Sequence, residues 1–174
     1  MGLSELREKH LRRGGRLVLQ TSSILGVADL MRANPTFDFQ YNWTACLFGN
    51  QAHPGDFHYA GFTELTLRVH LEAAGFSVSA FSIKDGWLLN ADVPKERDWT
   101  ALLETTHGAT DEEFLVSVYR QLLGRAMDDK GRSGRLRELR RGHSRYKILR
   151  EVTASGEHLY VKAKELGLSA RNRP

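Results

Sequence analysis

Apolar positions follow two rhythms along this chain. In the first half they form short blocks punctuated by glycine, and in the second they recur every three or four residues. Gly14 and Gly15 precede Leu17-Val18-Leu19, a turn feeding a strand over residues 17–20. That run is apolar until its end, which predicts burial on both faces. Residues 4–12 ahead of it suit a short polar helix. Residues 27–32 suit another helix, broken at Asn34-Pro35 because proline disfavours helix in the residue before it. Phe37, Phe39, Tyr41 and Trp43 alternate like a strand and equally suit an insertion packed on the sheet. Thr63 is placed to cap a helix running to residue 74, and Gly75 accepts the positive φ that ends it. Residues 76–83 and 87–93 then read as two strands joined through Lys84-Asp85-Gly86, since Asp and Gly both tolerate positive φ in a hairpin.

Residues 104–109 read as a linker to a helical second half. Thr110 and Glu113 have the spacing of a capping box, in which each side chain serves the other residue's amide. Phe114, Leu115, Val118, Tyr119, Leu122 and Leu123 make a wide apolar stripe closed by Gly124. Asp128-Asp129-Lys130-Gly131 reads as a turn, without the alternating oxygen ligands and closing glutamate of a calcium loop. A basic helix follows over residues 132–141, stopped by Gly142. Ser144 caps a third helix with Ile148, Leu149 and Val152 inside. Ser155 caps a fourth with Leu159, Ala163 and Leu166 inside and Gly167 at its end, and residues 169–174 form a frayed tail.

Composition narrows the function classes. Of 174 residues, 41% are hydrophobic, enough for a packed core. No stretch approaches the roughly 18 apolar residues of a membrane span. The charged segment 1–13 lacks the apolar core of a secretory signal, and the single Cys46 excludes an intramolecular disulfide, so a cytoplasmic address is expected. Charge is uneven: residues 1–109 carry 10 Lys and Arg against 12 Asp and Glu, whereas residues 110–174 carry 15 against 9. The asymmetry predicts two modules with different surfaces.

Two families are resembled, each over part of the chain. Gly14-Gly15-Arg16-Leu17-Val18-Leu19, then Glu72-Ala73-Ala74-Gly75-Phe76 and the hairpin, resemble over residues 3–97 the carboxyl half of a class I S-adenosylmethionine-dependent methyltransferase. The subgroup resembled is found in bacterial polysaccharide-biosynthesis clusters, and it carries a loop like Leu47-Phe48-Gly49-Asn50-Gln51 with Asp56-Phe57-His58 before its helix. The resemblance makes residues 17–20 the fifth strand of that fold. The glycine-rich loop and the acidic residue that hold the cofactor are then not among these residues, and S-adenosylmethionine is not expected to bind this chain alone. Farther on, Glu113-Phe114-Leu115, Tyr119, Leu122-Leu123-Gly124-Arg125, Asp128, Gly131, Leu139, Gly142, Ser144-Arg145 and Ser155-Gly156-Glu157 resemble, over residues 110–160, a short helical bacterial domain of unknown function. That domain is related to phycobilisome linker modules and is often appended to enzymes of surface glycan assembly. It usually carries tryptophan where Arg135 stands, which bears on the packing of the second helix.

The expected fold is therefore α/β followed by all-α. A partial Rossmann-like sheet ending in an antiparallel hairpin occupies residues 1–104, and a small helical bundle occupies residues 110–168. Within the first part, His53-Pro54-Gly55-Asp56-Phe57-His58 is the densest chemical cluster. It can fix the helix entry by hydrogen bonding, contact an acceptor or act as a base, or ligate a metal, although its spacing matches no strong metal motif. By the family resemblance this loop faces the acceptor, which makes His58 and then Asp56 the catalytic candidates and His53 a substrate contact. Tyr41 and Trp43 are candidates to stack on a sugar face, with core packing as the alternative. Arg132, Arg135, Arg137, Arg140 and Arg141 form either a solvated face, a site for an acidic protein or anionic glycan, or a nucleic-acid contact; Glu138 interrupts them and no stacking aromatic accompanies them.

Three functions follow as expectations. The chain is a truncated or degenerate methyltransferase of sugar modification, catalytic only when completed by another sequence; or a non-catalytic interaction module; or an anion or nucleic-acid binder. The strand over residues 17–20 is expected to leave an open sheet edge, inviting a second copy or a complementing chain.

Overall fold

A computed structural model describes Leu11 and residues 13–169. The expected helix over residues 4–12 and the tail beyond Ser169 lie, Leu11 apart, outside the described residues. Mixed α/β architecture is observed, with eight α-helices and a three-stranded antiparallel sheet among the described residues. The chain divides into two compact units. One comprises Arg16–Arg68 and Val78–Pro94; the other takes its described residues from Met1–Gly15, Val69–Ser77 and Lys95–Pro174.

The first unit holds the sheet: β1 (Arg16–Ser22), β2 (Ser82–Lys84) and β3 (Leu88–Pro94) in the order β1-β3-β2. β3 is antiparallel to both neighbours, pairing Leu17 with Val93, Leu19 with Ala91 and Thr21 with Leu89 on one side, and Ile83 with Leu89 on the other. The hairpin turns where expected, with Asp85 and Gly86 at φ 53° and 77°. Leu89, Ala91 and Val93 are buried while Asp92 is exposed, the period-two pattern of a sheet with one covered face.

Two strand expectations are corrected. β1 is not buried on both faces: Val18 is 74% exposed, because β1 lies at the sheet edge with its even-numbered side chains on the open face. The strand expected over residues 76–83 shrinks to Ser82–Lys84, and Phe76 makes only an isolated bridge to Lys95.

Between β1 and the hairpin lie α1 (Ile24–Ala33), α2 (Phe37–Phe48) and the start of α3 (Glu64–Ala73). Ser23 caps α1 by accepting from the Gly26 amide at 3.1 Å, and Thr63 Oγ1 likewise accepts from Thr66 at α3. A Cβ at Gly26 would overlap the Gly86 carbonyl, so glycine lets α1 lie against the hairpin turn. The aromatic run is a helix and not a strand. Alternate aromatics also satisfy the i, i+4 rule twice over, stacking Phe37 on Tyr41 at 5.7 Å and Phe39 beside Trp43 at 5.8 Å on opposite faces.

The second unit is helical: α4 (Ala101–Thr105), α5 (Asp111–Val118) running into a π-helical turn (Tyr119–Leu123), α6 (Asp129–Arg140), α7 (Arg145–Thr153) and α8 (Gly156–Glu165). The expected linker is thus partly α4. Phe114, Leu115, Val118, Leu122, Ile148, Leu149 and Val152 form its core, as their spacing foretells. Helices of 8 to 12 residues are marginal alone, so packing and caps decide them. The capping box at Thr110 and Glu113 is formed in both directions, and Ser144 and Ser155 cap α7 and α8. The expected turn at Asp128 is itself a cap: its carboxylate accepts from Gly131 at 2.7 Å, and the helix starts at Asp129.

The inner face of α8 departs from expectation. His158 and Lys162 are its buried residues, while Leu159, Ala163 and Leu166 are half-buried. His158 sets Nδ1 2.9 Å from the Leu122 carbonyl and Nε2 3.2 Å from that of Ala73, an oxygen that also accepts from Trp99 Nε1 at 3.0 Å. Arg135, where the resembled family has tryptophan, pairs with Glu138 and Glu151. Burial opposes its charge, but the two carboxylates more than offset this and raise its pKa.

Several carboxylates in this unit titrate below their usual range. Glu113 is held down by hydrogen bonds from Thr110, Asp128 by the Gly131 amide and Glu138 by Arg135. A depressed folded-state pKa contributes stability that is present above the unfolded value and lost as pH falls through the folded one. Thermal unfolding followed by circular dichroism is therefore expected to show the helical unit weakening below about pH 4. Asp128→Asn, which keeps the cap without the charge, flattens that acid dependence; an unchanged profile contradicts the assignment.

Candidate functional site

The carboxyl end of β1 opens onto a cavity of about 470 Å³ within the sheet-bearing unit. Gln20 and Ser22 reach it from β1, Cys46 from α2, His58 from the loop after α2, Trp87 from the hairpin turn and Leu88 from the start of β3. Ser22 Oγ lies 3.4 Å from Cys46 Sγ, which ties strand to helix at the cavity wall. Gln20 Nε2 donates to Asn90 Oδ1 at 2.6 Å across the ladder. Trp43, one helical turn before Cys46, meets Trp87 edge-on with ring centroids 4.9 Å apart. The cavity thus combines one broad apolar face with hydroxyl, amide and imidazole groups.

His58 is placed by the loop rather than by a regular element. Its amide donates to the Phe48 carbonyl at 3.1 Å, closing the loop back on the end of α2. Gly49 makes this possible. It sits at φ 78°, ψ 165°, and a Cβ there would overlap the Asp56 carbonyl. Only glycine both adopts that backbone and admits that approach.

Asp56 serves the loop itself. Its carboxylate accepts from the Ala52 amide at 3.3 Å and lies 3.8 Å from His53 Nε2, while His53 Nδ1 accepts from Gly55. Neither Asp56 nor His53 lines the cavity, so of the three only His58 reaches it. Among the described residues no group of three His, Cys, Asp or Glu is spaced to hold a metal ion. Trp43 contacts Trp87 but does not itself line the cavity. Tyr41 lies on the other side of α2, 67% exposed and stacked on Phe37.

Sequence reasoning passed over Ser22, Cys46 and Trp87. Trp87 follows the hairpin glycine directly and Cys46 stands at i+3 from Trp43, but both spacings gain meaning only once α2 is known to be a helix. In the other unit, Arg132 pairs with Glu112 at 3.4 Å and Arg135 with two glutamates, leaving Arg137, Arg140 and Arg141 as the exposed part of the basic helix. No helix among the described residues is long and apolar enough to cross a membrane.

Comparison with protein-family models, curated proteins and solved structures finds no match.

Gly49→Ala is expected to destabilise the sheet-bearing unit by on the order of 3 kcal/mol, from the strained backbone and the overlap with Asp56 together. Urea denaturation measures it, and a loss well under 1 kcal/mol contradicts the closed loop.

Proposed function

We propose that the sheet-bearing part is a methyltransferase-like remnant that holds a sugar or related polyhydroxyl compound, and that it leaves S-adenosylmethionine unbound when the chain is alone. The observation carrying this reading is the cavity at the carboxyl end of β1, with Trp87, Ser22 and His58 on its wall. Ligands of open α/β sheets sit outside the carboxyl ends of strands. A tryptophan face flanked by hydroxyl and amide groups suits a ring with polar substituents and an apolar face. The order of strand, long connection with a helix, and closing antiparallel hairpin supports the methyltransferase likeness.

In this reading Trp87 carries the ring and Ser22 and Gln20 hydrogen-bond its hydroxyls. His58 offers a ring nitrogen able to accept a hydroxyl proton. Methyl transfer needs a sulfonium held in line with that hydroxyl, a positioning task for groups beyond this sheet. Retention of the acceptor without transfer is the activity assigned to the chain by itself, in the setting of polysaccharide modification.

Tryptophan fluorescence during titration with monosaccharides and nucleotide sugars tests the reading, with S-adenosylmethionine titrated by calorimetry in parallel. The expected result is a saturable response to at least one sugar, weakened about tenfold or more in His58→Ala, and no heat from the cofactor. A folded protein that answers to no sugar overturns the acceptor site. Micromolar cofactor binding overturns the remnant and makes the chain an enzyme candidate.

A further inference from the structure

β1 is an edge strand, paired on one side with β3. Ser23, opposite Trp87 in the ladder register, donates to the Trp87 carbonyl at 2.7 Å, which fixes the phase of the antiparallel pattern. Hydrogen-bonded pairs alternate with non-bonded ones, so Leu17, Leu19 and Thr21 turn their N–H and C=O groups toward β3. Arg16, Val18, Gln20 and Ser22 turn theirs outward. At the far end this outer side is already occupied, since Phe62 forms a parallel bridge with Ser23 and accepts from the Ile24 amide at 2.9 Å. The stretch from Arg16 to Gln20 pairs with no strand on that side among the described residues. It holds no proline or lysine, and its centre is Val18, 74% exposed.

We propose that this edge pairs with the same edge of a second copy, antiparallel, about a two-fold axis at Val18. An extended partner must set outward-facing residues against outward-facing residues. Centring on Val18 uses only the open stretch: Arg16 faces Gln20 of the other copy, Val18 faces Val18, and Leu17 faces Leu19. A centre at Leu19 would require Ser22, next to the position that Phe62 blocks. Charge agrees with the Val18 centre. Arg16 is the only charged residue of the stretch and already binds Asp92, with Nε to Oδ1 at 3.0 Å. In the pairing it meets a neutral amide, so no like charges stand opposite. About six ladder bonds form across the axis, two for each outward pair. The result is an isologous interface joining two three-stranded sheets into one. This assignment stands on ladder geometry and is independent of what the cavity holds.

The test is sedimentation equilibrium of the full chain over micromolar to sub-millimolar concentrations. The wild type is expected to dimerise. Val18→Lys places two like charges at the axis and is expected to weaken association about tenfold or more. Val18→Pro removes an N–H that points outward and none that serves β3, so it is expected to abolish the dimer while leaving circular dichroism native. Should the proline variant fail to fold, register is read independently: Val18→Cys in a Cys46→Ser background cross-links to itself on mild oxidation, within disulfide reach at the axis. A wild type that remains monomeric throughout overturns the proposal. So does a dimer that Val18→Lys leaves intact, or a Val18→Cys protein that dimerises without cross-linking.

Discussion

The register of β3 is the constraint on which the sheet-bearing unit depends. β3 alone uses both of its edges, toward β1 with its odd-numbered backbone groups and toward β2 with its even-numbered ones. A slip of one residue would send Leu89, Ala91 and Val93 to the open face and bring Asn90 and Asp92 inward. Trp87 stands between the positive-φ residues of the turn and the strand, so the same register fixes which wall of the cavity it occupies. Asp85 and Gly86 thereby govern a cavity wall that they do not line.

The helical unit is held by many small terms instead of one frame. Its helices are short, and α5 to α8 each begin with a side chain that answers amides the helix cannot satisfy itself. Arg145 shows how the ends are joined, binding Asp111 at the start of α5 and the carbonyls of Thr106 and Ala109 just before it. Arg125 reaches Glu157 at the start of α8 with two guanidinium nitrogens. Part of the basic character seen in the sequence is therefore architectural. Arg125 and Arg145 act as clamps between helix ends, whereas Arg120, Lys130, Arg137, Arg140, Arg141 and Lys164 are exposed to solvent.

Legibility in the sequence tracked how local each determinant was. Caps, glycine stops and the Asp85-Gly86 turn are decided within four residues, and they appear where the sequence places them. The helical core follows a 3.6-residue period that few alternatives imitate. The aromatic run was ambiguous because spacing of two also builds i, i+4 pairs, and packing of Trp43 on Trp87 settled it. Burial of His158 was invisible, since its partners are carbonyls 36 and 85 residues away. The cavity was half legible: His58 stood out by chemistry, but the edge position of β1 and the helical nature of α2 decide who joins it.

Closure of the loop over Gly49 also bears on how this surface can evolve. The two ends of the loop are stitched at Phe48 and His58, while its tip around His53 and Gly55 is exposed and bonded mainly to itself. Insertions at such a tip leave the stitched ends in place. New side chains can therefore be hung beside the cavity without moving His58. The length and composition of that tip can thus vary at little structural cost, so long as Gly49 stays beneath it.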